Sequence, residues 1–470
     1  MSRRYRAPAA SGAVLAEPGF DAVPALVEAN RKRLDRDDVR VGRHTLRAFR
    51  ALTKAEVFGG GESARAVVVT GHQPELAHPG VWVKNFAVVG LAKKLGAAPL
   101  NLVVDNDTLK SSALHLPVFR DGDPASVRTE RLPFDAFAGE VPYEDRRVLR
   151  GDVFGAFLPR ARELTSNWGY PPLVEAAWPH IDPSRDLPLG EQFAHARRRF
   201  EREWGCHGND LSVSKLSRMW PFHFFAAQIL ADLPRFRAVY NSAVRSFRAA
   251  NGIRSANHPA PDLAEGEAPF WARTAGGRRQ RATAASDAAN LRPRALTLTL
   301  FARVCLGDFF IHGIGGGKYD EVTDAIIRDY FGIEPPAYQV LSATLHLPLP
   351  GFPSTAADVE RAARAVRDLR WNPHALPGAD PELVRAHAEL ARHEPPWGEH
   401  DARRERFRAL QRVKDQLRAG AAGRIPEAAA ELRRVREEAH ANAVLQRRDY
   451  AWVLYPEGTL RPFLQRFLAL

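Results

Sequence analysis

The stretch from Val67 to Asp107 leaves this chain few ways to fold. It reads Val-Val-Val-Thr-Gly-His-Gln-Pro-Glu-Leu-Ala-His-Pro-Gly, then an amphipathic run, then Asn-Leu-Val-Val-Asp-Asn-Asp. Residues 67–70 are short, mostly β-branched and closed by Gly71, the pattern of a strand buried on both faces of a parallel sheet. Residues 81–95 read as a helix. Phe86, Val89 and Leu95 recur at helical spacing, Lys93 and Lys94 take the solvent side, and Gly96 stands where a C-terminal glycine belongs. Residues 101–104 form the second strand. Because a crossover between parallel strands is nearly always right-handed, the loops after both strands open on the same edge of the sheet. His72, Gln73, Asp105, Asn106 and Asp107 are therefore expected to share one cleft.

A second unit of this kind follows some two hundred residues later. Residues 309–312 read as a strand and Gly313-Ile-Gly-Gly-Gly-Lys-Tyr-Asp-Glu as a loop, followed by a helix over about 321–330 that Pro335 and Pro336 stop; residues 340–347 are a further strand. Between the two units the chain is Pro-punctuated. It holds a helix near 191–204, an aromatic-rich helical stretch over 211–250, a possible edge segment at 267–271, and a cluster of Arg278, Arg279 and Arg281 beside two glycines that reads first as a solvated turn. Residues 59–61, all glycine, make a flexible approach to the first strand. Residues 355–449 are helical in pattern. Phe407, Leu410, Val413 and Leu417 form one narrow seam, Leu432, Val435, Ala439 and Asn442 another, and Gly420, Gly423 and Pro426 separate them, so a coiled-coil hairpin is expected. Residues 450–455 return to strand character.

The expected fold is α/β: a Rossmann-like parallel-sheet core with inserted connecting segments and an α-helical coiled-coil hairpin. By sequence the core begins in residues 1–120, is interrupted by a partly helical connecting region at 121–290, resumes with the glycine-rich loop at 291–352, gives way to the helical region at 353–449, and closes at 450–470. A chain of 470 residues has room for this, at about 150 residues per domain. No apolar run approaches the about 18 residues a membrane span needs, and the basic N-terminus lacks an apolar signal core, so a cytoplasmic protein is expected. With Cys206 and Cys305 alone, a disulfide framework and a cysteine-based metal site are both excluded. The net charge of +12 is spread along the chain without a recognisable nucleic-acid module. Nucleic acid is thus not the expected partner, although binding through the basic surface would show itself as steep salt dependence.

Three loops carry candidate chemistry. The first presents Gly71, His72, Gln73, Glu75 and His78 before a helix N-terminus, where free backbone N–H groups favour an anion. For either histidine alone structural hydrogen bonding is the first reading, but His72, at a strand's carboxyl end beside a glycine, suits a hydrogen-bond donor or general acid. The second, Asp105-Asn-Asp, could hold a ribose hydroxyl, a substrate amine or Mg²⁺, or simply cap the turn. No ligand spacing ties His195, His207, His393 or His400 to it, so no metal site is assigned. The third, Gly315, Gly316 and Gly317 followed by Lys318, lets backbone approach a ligand closely and offers lysine as a point charge. It fails the P-loop spacing, since His312 stands at the first glycine position and Tyr319 at the hydroxyl position.

At these residues the chain resembles the cysteine-adding enzymes of bacillithiol biosynthesis, a family of cysteine ligases. Thr70-Gly-His-Gln73 resembles the family's Thr-Gly-(Gln/His)-Gln entry. Arg292-Pro293 and the later Gly315-Gly-Gly-Lys-Tyr-Asp-Glu321 are similar to its Arg-Pro segment and glycine-rich loop, and Leu454-Tyr-Pro-Glu-Gly-Thr-Leu460 to its closing turn. The order is the family's, with the helical hairpin where the family has its coiled coil. The likeness covers about residues 65–110, 290–350 and 400–465. It departs at Asp105-Asn-Asp107, where the family has an acidic-His-Asp run, and at Lys318, where it has proline.

The resemblance implies a Rossmann-like core in the style of class I synthetases and nucleotidyltransferases. It implies a reaction joining cysteine through its carboxyl to the amine of glucosaminyl malate, with activation by ATP or another adenine nucleotide. On that expectation His72, Lys318, Asp105 and Asp107 are the catalytic candidates: the first two hold developing negative charge, and the two carboxylates orient the amine or ribose. Gly71, Gln73, His78, Asn106, Gly315, Gly316 and Gly317 bind the nucleotide. The partner is a small-molecule substrate, with a homodimer formed through the hairpin. The competing expectation is a non-catalytic nucleotide-binding or assembly protein of the same fold.

Overall fold

The computed structural model describes residues 5–60, 65–137, 139–254, 261–274 and 276–470. The first four residues of the basic N-terminus and Gly61, the last of the three glycines before the first core strand, lie outside them. Contacts divide the chain into two compact units. The first comprises Met1–Leu116, Arg131–Pro348 and Arg448–Leu470, and the second Pro117–Glu130 and Leu349–Arg447.

The strands, in chain order, are β1 (Val14–Glu17), β2 (Arg40–Val41), β3 (His44–Thr45), β4 (Val67–His72), β5 (Ala98–Val103), β6 (Ala113–Arg120), β7 (Asp123–Pro133), β8 (Asn209–Ser212), β9 (Glu267–Arg273), β10 (Arg279–Thr283), β11 (Leu291–Pro293), β12 (Phe309–His312) and β13 (Tyr338–Ala343). About half of the chain is helical, and the centre of the first unit is a six-stranded sheet of order β1-β13-β12-β4-β5-β8. All neighbours are parallel except β1, which runs antiparallel to β13. Val67, Val68, Val69 and Thr70 are fully buried, as a central parallel strand requires.

The expected strand-helix-strand unit is present. Its helix runs Pro79–Leu95: the His78 ring accepts the Gly80 N–H at the start, Pro79 supplies a ready-made first position, and Gly96 ends it in the left-handed conformation at φ 62°. This helix is buried almost all round, and the backbone of Phe467 comes so near Gly90 that a Cβ there would lie 2.1 Å from its carbonyl oxygen. The stretch expected as an inserted connecting region does more than connect: its β8 forms an edge of the central sheet, and its β9 and β10 join β11 in a second sheet of order β10-β9-β11. The segment at 267–271, expected at an edge, is thus the middle strand of that smaller sheet, and Trp452–Leu454 is a single 3₁₀ turn where a strand was expected.

In the second unit the helices are Ala356–Trp371, Pro381–Arg392, His400–Gly420 and Arg424–Leu445. The last two are the helices expected to pair as a coiled-coil hairpin, but each packs mainly on another helix. Arg424–Leu445 packs on Ala356–Trp371, and His400–Gly420 on Pro381–Arg392. The seam residues Leu432 and Val435 are buried on the helix that Ala356–Trp371 covers, and Asn442 exchanges hydrogen bonds with the backbone of Phe352 at 2.8 Å in both directions. Phe407 of the other seam is 60% exposed. A period of three and four fixes which residues share a helix face, but not which helix covers that face.

Candidate functional site

In the sheet order, β4 leads through its helix to β5 on one side, while β12 and β13 lie on the other, so the chain reverses direction of winding between β4 and β12. A cleft of about 780 Å³ opens there, at the carboxyl ends of the parallel strands and wholly within the first unit. Its floor is the loops after β4, β5 and β12, and one wall comes from the smaller sheet through Trp271, Arg279, Arg281 and Arg294.

Gly71, His72, Gln73, His78, Asn106, Asp107, Gly315 and Gly316 all line this cleft, as their sequence positions predict. The Gln73 amide donates to Asp107 at 2.9 Å, and Arg279 donates to the other Asp107 oxygen at 3.1 Å. Burial pushes the Asp107 carboxyl up, but these bonds and the Thr108 N–H outweigh it and hold it below the usual range. His72 donates from Nδ1 to the Gln73 carbonyl at 3.1 Å; burial, then the nearby Lys84 charge, push its pKa down to about 3, so the ring is neutral at pH 7 and Nε2 is left as an acceptor. Burial likewise lowers His78 to about 4 and keeps it neutral in its capping role. Asn106 donates to the Pro293 carbonyl at 2.8 Å, which ties the Asp105 loop to the Arg-Pro segment, and its buried Oδ1 has no partner among the described residues.

Three candidates do not reach the cleft. Asp105 turns the other way and accepts from the Ser214 N–H at 2.8 Å and from the Ser214 hydroxyl; burial raises its carboxyl to about 6. It serves the turn after β8, the capping alternative for this loop. Lys318 is exposed, because the helix starts at Ile314 and not near Glu321, and helical phase carries position 318 to the solvent side. Gly317 packs inward: a Cβ there would lie 2.3 Å from Val340 Cγ2, and its carbonyl accepts from the Tyr338 hydroxyl at 3.0 Å. The glycine-rich segment is therefore the first turn of a helix.

Two side chains that the sequence reading passed over dominate the site. Lys84, 3% exposed, lines the cleft and donates to the Gly71 carbonyl at 3.1 Å, and among the described residues no carboxylate lies in salt-bridge range. Burial alone lowers its pKa to about 8. The signal was a single lysine inside the run Val81-Trp-Val-Lys-Asn-Phe-Ala-Val88. His312, 4% exposed, is bonded through Nε2 to Asp320 at 2.7 Å; Arg303 meets the same carboxylate oxygen at 2.6 Å and Asp324 at 2.7 Å. Burial opposes ionisation of Asp320, but Arg303 and His312 hold it well below the carboxylate range. The third surprise is Trp271, with the Arg279 and Arg294 guanidinium carbons 4.7 and 4.3 Å from its ring centroid. The arginine cluster read as a solvated turn thus supplies Arg279 and Arg281 to the site.

Among the described residues, Lys84, Lys110, Arg279, Arg281, Arg294 and Arg448 face the cleft against one lining carboxylate, Asp107. Glu140 and Glu267 answer Lys110, Arg281 and Arg294 from outside it. Among the described residues no three His, Cys, Asp or Glu side chains gather as a metal-ligand set, and no helix is long and apolar enough to cross a membrane. The chain matches no protein-family model and no curated protein.

Proposed function

We propose that this chain is a ligase-like enzyme, resembling the cysteine-adding enzymes of bacillithiol biosynthesis, that binds an adenine nucleotide in the cleft between β4 and β12. On this reading it joins the carboxyl of an amino acid, cysteine by the resemblance, to the amine of a small molecule. The observation that carries it is the cleft itself: a cavity within the size range of small-ligand sites, at the point where a mostly parallel sheet reverses its winding, lined among the described residues by six cations against a single carboxylate. That arrangement supports a Rossmann-like core with a polyanionic ligand at its switch point. Lys84 and the N-terminal turn of Ile314–Ile326 would hold phosphate, and Asn106 Oδ1 would accept from the base or sugar. Gln73, Arg279 and Asp107 would orient the amine. A nucleotide bound there would supply a good leaving group on the carboxyl carbon, which the amine would displace as the C–N bond forms, and the neutral His72 would add a hydrogen-bonding group beside it.

Thermal unfolding with ATP, ADP, AMP and adenosine at millimolar concentration tests the nucleotide step. A ligand present at 100 times its Kd stabilises the native state by about 2.7 kcal/mol, which raises Tm by several degrees. An unchanged Tm with both ATP and ADP rejects it. Mass spectrometry of cysteine, glucosaminyl malate and ATP incubated with the chain then tests amide formation directly. A second reading, a non-catalytic assembly protein, draws on Phe407, Trp371 and Trp397, which are 60%, 65% and 83% exposed in the second unit. Sedimentation of a Phe407→Glu variant tests it, and a monomeric wild type rejects it.

A further inference from the structure

Ile314–Ile326 begins with the Gly313 N-cap, where no side chain caps the helix, and the first amide of the turn to find a helical acceptor is Gly317, which bonds the Gly313 carbonyl at 2.9 Å. The amides of Ile314, Gly315 and Gly316 stand before it, at the positive end of the helix dipole. Two buried side chains face the same turn. A Cβ on Gly313 would lie 4.0 Å from Lys84 Nζ, and one on Gly316 would lie 3.1 Å from His312 Nδ1. Lys84 has no carboxylate partner and His312 Nδ1 no hydrogen-bond partner among the described residues.

We propose that Lys84, His312 Nδ1 and the Gly313–Gly316 turn form a subsite for a tetrahedral phosphoryl oxyanion. The proposal lies in the cleft assigned above, and its link to a nucleotide rests on that reading; the preference for a phosphoryl group does not. The argument is one of donors and acceptors. Lys84 and the helix amides supply positive charge and N–H groups, which any anion accepts. His312 differs from them. Its Nε2–H is committed to Asp320, so in the neutral ring Nδ1 is a lone pair in an otherwise donating site. A carboxylate has no proton to give it and would meet that lone pair with another. A phosphoryl group in its monoanionic form presents both O⁻ and O–H, so it can donate to that lone pair while accepting from the lysine and the amides. Gly316 matters for the same reason: any larger residue would put carbon against Nδ1.

The test is calorimetric titration of the full chain with inorganic pyrophosphate, ATP, malonate and adenosine. Wild type is expected to bind pyrophosphate and ATP and to bind malonate at least tenfold more weakly than pyrophosphate. Lys84→Met is expected to weaken pyrophosphate and ATP tenfold or more, and Lys93→Gln, an exposed lysine of the same helix, to change neither. His312→Gln serves where Lys84→Met does not fold. Its amide can still donate to Asp320 but leaves nothing at the Nδ1 position, so it is expected to weaken pyrophosphate without lowering Tm. ATP binding that both variants leave intact overturns the subsite and spares the nucleotide reading. Pyrophosphate binding lost in both variants, with no ATP binding by wild type, upholds the subsite and rejects the nucleotide. Malonate bound as tightly as pyrophosphate overturns the phosphoryl preference, and no binding of either phosphate compound by wild type overturns the subsite together with the nucleotide reading.

Discussion

Replacing Lys84 by methionine is expected to make the protein more stable and less able to bind phosphate. The lysine is buried with no carboxylate beside it among the described residues, and its pKa falls from 10.5 to about 8 through burial. At about 1.4 kcal/mol for each tenfold change in the proton equilibrium, holding that charge inside the fold costs about 3 kcal/mol at neutral pH. Methionine is of similar length and apolar, so it removes this cost while losing the hydrogen bond to the Gly71 carbonyl, worth about 1 kcal/mol. The net expectation is a gain of about 2 kcal/mol at pH 7. The sign with pH follows from which state holds the proton. Between about 8 and 10.5 the unfolded chain keeps the proton that the folded one has released, so wild-type stability rises with pH across that window. Below about 8 both states are protonated and the full cost is present. Urea unfolding of wild type and Lys84→Met at pH 7 and pH 10 measures the difference, in which the other titrating groups cancel. A gap that favours the variant at pH 7 and has mostly vanished by pH 10 supports the reasoning. A variant less stable than wild type at pH 7, or a gap that does not change with pH, refutes it.

Three other outcomes are expected. Gly317→Ala should destabilise by about 1 to 3 kcal/mol, since its Cβ would meet Val340 at 2.3 Å, whereas Gly315→Ala, with open space around it, should be neutral or slightly stabilising; chemical denaturation compares the two. Arg303→Met strips the cation from Asp320, Asp324 and the Pro336 carbonyl and should cost about 3 to 5 kcal/mol by the same assay. Asp105, raised to about 6 by burial, binds its proton more tightly in the folded chain than in the unfolded one. Stability should therefore fall as pH rises from about 4 to 6, and Asp105→Asn should flatten that slope in pH-resolved melts while leaving ATP affinity within about twofold.

The parts of this fold that could be read from the sequence are those decided by local physics. Val67–Val69 are β-branched and apolar, His78-Pro79 and Gly96 bracket a helix, and Pro335-Pro336 end another, so the two strand-helix-strand units and the edge on which their loops open follow from residues near one another. That same logic brought His72, Gln73, Asn106 and Asp107 to one cleft with Gly315 and Gly316. What remained depends on direction and on distant partners. Periodicity locates a helix but not its first residue, and a start at Ile314 turned Lys318 to solvent and Gly317 into the core. Asp105 and Asp107 are two residues apart in a turn and face opposite ways, one to Ser214 and the other to Arg279, because partners more than a hundred residues off compete for them. The seams at 407–417 and 432–442 marked two helix faces, and only tertiary packing selected Ala356–Trp371 and Pro381–Arg392 as the main partners of those helices. Lys84 shows the division most plainly. Its place in an apolar run is written in the chain, but its meaning is that no carboxylate among the described residues reaches it, and that is decided only once every neighbour has taken its position.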